Sequence, residues 1–255
     1  GFFPTAYSPI PILDPDTGLR NIATRGGSDA LGKKLQLSEK LSSYFSARYK
    51  DDNVRSYREF YDNTLRLLKS KDLDSFDISK ENNATREKYG FNKFGQGCLL
   101  ARRLVETGVR FVEVATDGCD MHNNLESEME DLSPSLDQAY AALIADLEAR
   151  GLLDETLVVL ATEFGRKPQY SGNGRGHYPI CYSSVLAGGG VKRGYVYGSS
   201  DKDGALPNDP VTVPDLHATI GWAAGLPLKE KYQTSSGRPF VVGGDRAKPV
   251  MDIFA

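Results

Sequence analysis

The chain has 255 residues, with 31 Lys and Arg against 34 Asp and Glu and a formal net charge of −3. Hydrophobic residues make up 40% and charged residues 25%, which is enough for a packed core and excludes global disorder; the slight negative charge argues against a binder that works by neutralising nucleic-acid phosphates. No run of about 20 apolar residues occurs, so no membrane-spanning helix is expected.

Residues 1–30 are rich in Pro, Gly, Asp and Ser and read as extended loop. Over 31–70, Leu35, Leu41, Tyr44, Phe45, Tyr61, Leu65 and Leu68 recur at helical spacing among charged residues, and the stretch reads as helical. Residues 71–93 are polar, with anchors at Leu73, Phe76 and Ile78 and a break at Asn82-Asn83. The segment 94–106 reads as a helix stopped by Gly108. Residues 109–114, rich in β-branched and aromatic side chains, read as a strand leading into a polar loop, 116–124. A helix is expected over 133–150, with Ser133 as its N-cap and Pro134 in its first position, and then an apolar strand over 156–161. Strand, helix and strand in this order predict a right-handed crossover between parallel strands. Further strands are expected at 183–187 and 195–197, a helix at 214–224, and an irregular tail from 237 to 255. The expected division is an extended segment and helical region, 1–93, packed on an α/β core, 94–255, which carries the chemistry; the two form one structural unit.

In open parallel sheets, ligands bind beyond the carboxyl ends of the strands. Two strands here lead into unusual loops. One carries Asp120 and His122; the other begins with Glu163 and Arg166 and continues through Arg175 to His177. Two carboxylates and two imidazoles are the ligand chemistry of a divalent metal such as Zn²⁺ or Mn²⁺, and the guanidinium forks of Arg166 and Arg175 suit a tetrahedral oxyanion. Taken singly, each residue has a plainer reading: Asp120 as a turn cap, Glu163 as a solvated charge or a partner of Arg166, and His177 as a surface histidine. Their weight lies in economy: the chain has three histidines, and two of them lie on these loops. The third, His217, reads as a partly buried structural histidine, and Gly188-Gly189-Gly190, which lacks phosphate-loop spacing, reads as a tight turn. Cys98, Cys119 and Cys181 form neither a disulfide framework nor a CxxC pair, and Cys119 reads as a buried or incidental thiol.

The run Gly95-Gln96-Gly97-Cys98-Leu99-Leu100-Ala101-Arg102-Arg103-Leu104-Val105-Glu106-Thr107-Gly108 closely resembles a segment of the DUF1501 family, bacterial proteins related to the alkaline phosphatase and sulfatase superfamily. The likeness continues through Cys119-Asp120-Met121-His122-Asn123-Asn124, where the family usually reads WDTHGN, and through Glu163-Phe164-Gly165-Arg166. It extends to Gly174-Arg175-Gly176-His177-Tyr178-Pro179, where the family usually reads GRDHWP. The resemblance implies an α/β, alkaline phosphatase-like sandwich with a mainly parallel β-sheet flanked by helices, covered here by the C-terminal part of a longer protein and incomplete at the N-terminus. It implies one or two divalent ions (Zn, Mn, Ca or Mg) held by Asp120, His122, Glu163 and His177, with Arg166 and Arg175 as catalytic residues. Phe164 stands where related sulfatases carry a metal-binding His or Asn, and Gly176 replaces the usual Asp. The implied activity is metal-dependent hydrolysis of a small-molecule or glycan sulfate or phosphate ester, by an exported, periplasmic protein. No CxPxR or SxPxR signature marks a nucleophile. The alternative is a non-catalytic metal-binding or scaffold protein that retains the fold.

Overall fold

Asparagine side chains start two consecutive helices in the middle of the chain, and the architecture is best followed from there. A computed structural model describes residues 8–20, 22, 27–49, 51–234 and 237–255. Contacts divide the chain into two compact units, one of residues 1–80 with 233–238, the other of residues 81–232 with 239–255.

In the first unit the helical pattern of 31–70 resolves into α1 (Gly27–Arg48) and α2 (Asp52–Lys69). Two 3-10 turns follow, Lys71–Phe76 and Ile78–Lys80; the first is capped by Ser70, whose hydroxyl accepts from the Asp72 amide at 3.0 Å. Ser75 and Ile78 are buried, whereas Leu41 and Tyr44 on α1 are exposed.

In the second unit, Asn82 Oδ1 accepts from the Thr85 amide and Asn92 Oδ1 from the Gly95 amide, each at 2.8 Å. These caps start α3 (Asn83–Tyr89) and α4 (Lys93–Glu106), satisfying amides that have no partner inside the helix. Helix α4 ends at Thr107, and Gly108 turns the chain away at φ +89°, as the sequence predicts. Position 95 must be glycine, because a Cβ there would lie 1.9 Å from the Tyr89 carbonyl oxygen. Helix α5 (Leu125–Ala149) packs along α3 and α4. The core of the unit is Tyr89, Cys98, Leu99, Leu100, Leu104, Ala139 and Leu147, all buried. Each buried leucine contributes about 1.5–3 kcal/mol. Burial pushes the Cys98 thiol up to about 12, leaving it a neutral packing residue.

Arg102 sits within this core with its side chain 1% exposed. It is held 2.9 Å from each of Glu81, Glu106 and Asp146. Arg103 pairs with Glu81; Arg150 pairs with Asp146 at 2.8 Å and with Glu106 at 2.7 Å; and the Tyr89 hydroxyl donates to Asp146 at 3.0 Å. Three guanidinium groups thus meet three carboxylates, which is how a charge is kept inside a core.

The mainly parallel α/β sandwich does not form. Among the described residues the sheets are short, two-stranded and antiparallel. Strand β1 (Val158–Leu160) pairs with β4 (Val185–Ala187), Val158 facing Ala187. Strand β2 (Gly165–Arg166) pairs with β3 (His177–Tyr178), and β5 (Ser199–Ser200) with β6 (Pro207–Asn208). Residues 109–114 have the side chains of a strand but no ladder, and Phe111 is exposed. Strand propensity records a fit to a pleated, half-buried surface, and a strand forms only where a neighbour offers its hydrogen bonds. The crossover expected from 109–114 to 156–161 is therefore absent, and β1 finds its partner downstream instead.

Helix α5 also starts earlier than expected, directly after Asn124 (φ +51°), so Ser133 is not its cap and Pro134 lies inside it. Pro134 is exposed, as is Glu130, whose carbonyl loses its helical donor on the solvent side of the helix. Residues 195–197 form no strand, the pairing falling instead on β5 and β6. Helix α6 (Val213–Ala223) matches expectation and is started by a reciprocal capping box between Thr212 and Asp215. Asp215 Oδ1 also accepts from the Lys248 amide at 2.7 Å, tying the tail to the helix. No described helix is long and apolar enough to cross a membrane.

Candidate metal centre

The centre is built from two loops of the second unit. In the first, Met121 is 3% exposed and anchors the chain, with Asp120 and His122 exposed on either side of it. The His122 amide donates to the Asp120 carbonyl at 3.0 Å, closing a tight local turn. In the second, the β2–β3 register sets Arg166 opposite His177, so two residues far apart in sequence share one end of a hairpin.

The loops cross at Gly174. A Cβ there would lie 2.1 Å from both the carbonyl carbon and the carbonyl oxygen of His122, so only glycine lets the backbones meet. Around the crossing, the Arg175 amide donates to the Met121 carbonyl at 3.1 Å and the Leu125 amide to the Asn173 carbonyl at 3.0 Å. Asn173 Nδ2 donates to Asn124 Oδ1 at 2.9 Å.

Three ligand atoms converge as a result. Asp120 Oδ1 lies 2.8 Å from His177 Nε2 and 3.0 Å from His122 Nε2, and the two Nε2 atoms are 3.0 Å apart. Among the described residues this is the one group of three or more His, Cys, Asp or Glu whose ligand atoms lie within 4.8 Å of one another. The donor set fits a divalent ion of borderline softness. Ligands bound at about 2.1 Å stand about 3.0 Å apart on one face of an octahedron and about 3.4 Å apart on a tetrahedron, so a small rotation of one imidazole separates the two geometries.

Asp120 Oδ1 also accepts from Arg166 Nη1 at 2.6 Å. The Arg166 hydrogen bond first, and the His177 contact second, hold the Asp120 carboxyl down at about 2, so it is an anion throughout the neutral range. Phe164 lies behind this pair, its ring centroid 4.5 Å from that of His177 and 5.4 Å from the Arg166 guanidinium carbon.

Of the six residues singled out in the sequence, Asp120, His122 and His177 form the triad and Arg166 clamps it. Glu163 is not part of the triad; its Oε1 is taken by Arg166 Nη2 at 3.0 Å. Arg175 is joined to the site through its backbone, while its guanidinium lies 4.9 Å over the Tyr170 ring and its buried Nε has no partner. His217 is exposed on α6 rather than partly buried, and Cys119 is exposed. The glycine run 188–190 is a tight turn with three positive φ values, as expected. Sequence reasoning missed Gly174, Met121 and Phe164 as builders of the site. An apolar residue between two candidate ligands was the available signal for Met121.

A family model described as "Protein of unknown function (DUF1501)" matches residues 1–254. No curated protein and no solved structure matches the chain.

Proposed function

The chain belongs to the DUF1501 family, and we propose that this member is a metal-dependent hydrolase of phosphate or sulfate esters centred on Asp120, His122 and His177. The observation that carries the reading is the convergence of one carboxylate oxygen and two imidazole nitrogens within 3.0 Å of one another. A divalent ion held by these residues supplies Lewis-acid polarisation of a phosphoryl or sulfuryl oxygen.

The chain's own groups do the rest. Arg166 donates to Asp120 Oδ1, the oxygen that faces the imidazoles, and holds that carboxyl below its ordinary value. Phe164 limits the tilt of the His177 ring. Arg175, whose backbone is fixed beside Met121, is the residue proposed to donate to the ester oxyanion through its guanidinium. The ester class, a small-molecule or glycan substrate and export to the periplasm are supported by the resemblance of the loop motifs to the alkaline phosphatase and sulfatase superfamily. The sandwich fold implied by that resemblance is not the one found, so the proposal stands on the ligand cluster.

Metal content is measured on protein purified without chelator or affinity nickel, and turnover is followed on aryl phosphate and aryl sulfate esters, for the natural chain and for Asp120→Asn and His122→Ala. Bound Zn, Mn, Ca or Mg that is lost in the variants, together with turnover lost in parallel, is the expected result. Equal turnover by all three proteins overturns the assignment. Metal binding without turnover of either ester class overturns the hydrolase and leaves a metal-binding protein.

A further inference from the structure

We propose that Arg166 takes the place of a second metal ion, so that the centre holds a single divalent cation beside a fixed guanidinium, with Glu163 kept out of the ligand set. The inference rests on the metal reading above and goes beyond it, since the ligand set Asp120, His122, Glu163 and His177 read from the sequence is compatible with one ion or two.

The geometry argues for it in three steps. First, Arg166 uses two different nitrogens on two different carboxylates, Nη1 on Asp120 Oδ1 at 2.6 Å and Nη2 on Glu163 Oε1 at 3.0 Å. A planar fork bridging two carboxylates occupies the ground that a second cation would need in order to bridge them. Second, the guanidinium is held there: its side chain is 19% exposed against 64% for Asp120, and its carbon lies 5.4 Å from the Phe164 ring centroid. A flexible surface arginine would yield to an incoming ion more readily than one packed on an aromatic face. Third, the neighbouring positions bring no further ligand. Gly176 has no side chain, and the Lys167 methylene stem passes close by, such that a Cβ at 176 would meet its Cδ at 3.6 Å. Phe164, adjacent to Glu163, offers no lone pair.

The charges agree. The formal charges of Asp120, Glu163 and Arg166 sum to a single negative charge, which one divalent ion turns into a single positive charge. A second divalent ion would then face both the first ion and the guanidinium at close range. Arg166 is thus a positioning residue for the metal site: it acts through Asp120 and Glu163 and sets how many ions they can hold.

The test is equilibrium dialysis against excess Mn²⁺, with bound metal counted by mass spectrometry and folding checked by urea unfolding. The natural chain is expected to hold about one equivalent. Arg166→Gln, which frees both carboxylates, is expected to rise to about two, using Asp120 and Glu163 with water completing the second ion. Adding Glu163→Gln to Arg166→Gln should return the count to about one, and Arg166→Lys, which keeps the charge, should stay at one. If Arg166→Gln loses its cooperative unfolding transition, Arg166→Met, which keeps packing against Phe164, carries the same expectation. Two equivalents in the natural chain, or one in a folded Arg166 variant lacking the charge, overturns this inference and leaves the metal reading standing. No metal in the natural chain overturns both.

Discussion

The second unit contains two arginine–carboxylate clusters, one around Arg102 and one around Arg166, and they differ in what surrounds the charge. Arg102 is 1% exposed, and the guanidinium groups of its cluster are matched by three carboxylates, one of which also accepts from the Tyr89 hydroxyl. Arg166 also meets two carboxylates, but Asp120 is 64% exposed and faces two imidazoles whose nitrogens crowd the same oxygen. The buried cluster is closed, with each charge answered inside the protein. The exposed cluster is open, because three ligand atoms meet at the surface and only Asp120 among them is held by a guanidinium. Burial with balance marks a structural element, whereas exposure with convergence marks a site.

The largest effect expected from breaking this contrast is at the closed cluster. Arg102→Met leaves Glu81 and Asp146 without their buried partner and should cost about 3–5 kcal/mol in urea unfolding. His122→Ala, by contrast, should remove metal binding and shift stability by no more than about 0.5 kcal/mol, as for an ordinary surface substitution. Comparable losses from the two variants would erase the distinction between the clusters.

Gly174→Ala tests whether the open cluster depends on the crossing of its loops. The added methyl group meets the His122 backbone and should cost about 1–3 kcal/mol. Metal affinity should fall with it although no ligand is touched, and titration with Mn²⁺ reads that directly.

The smallest effect is on acid stability. Burial pushes the Glu81 carboxyl up, but Arg103 and Arg102 outweigh it and leave it below its ordinary value of 4.5. Asp146 is likewise pushed up by burial, and is brought below 3.8 by Arg150, Arg102 and Tyr89. Their stabilising contribution is fully present above those ordinary values and is lost as pH falls through the lower folded ones. Urea midpoints between pH 6 and pH 3 should therefore decline in the natural chain, and less steeply in Arg102→Met.

What could be read in advance follows from which forces are local. The end of α4 at Thr107-Gly108 and the span of α6 were legible because caps and stops act over a few residues. Asp120, His122 and His177 were legible as chemistry, since their side chains need no tertiary context to be ligands. The fate of residues 109–114 was not, because pairing depends on a partner that propensity does not name. The start of α5 was obscured by Pro134, which marks a first turn in most helices but here lies on a solvated face. Glu163 was expected as a ligand because its type and position allowed it, with pairing to Arg166, three residues on, as its plainer reading; the ion pair at 3.0 Å is that plainer reading. Arg102 had a faint signal, standing one helical turn from Leu99 and Cys98 on the stripe that becomes the core.

The half-exposed triad has a consequence for descent. Asp120, His122 and His177 contribute nothing to the core, so a gene copy that drifts at one of them still encodes a protein that folds, accumulates and matches its relatives along its whole length. The α3–α5 packing and the exposed cluster are thus free to change independently of one another. A match along the whole chain therefore does not by itself report whether the metal-ligand cluster is intact.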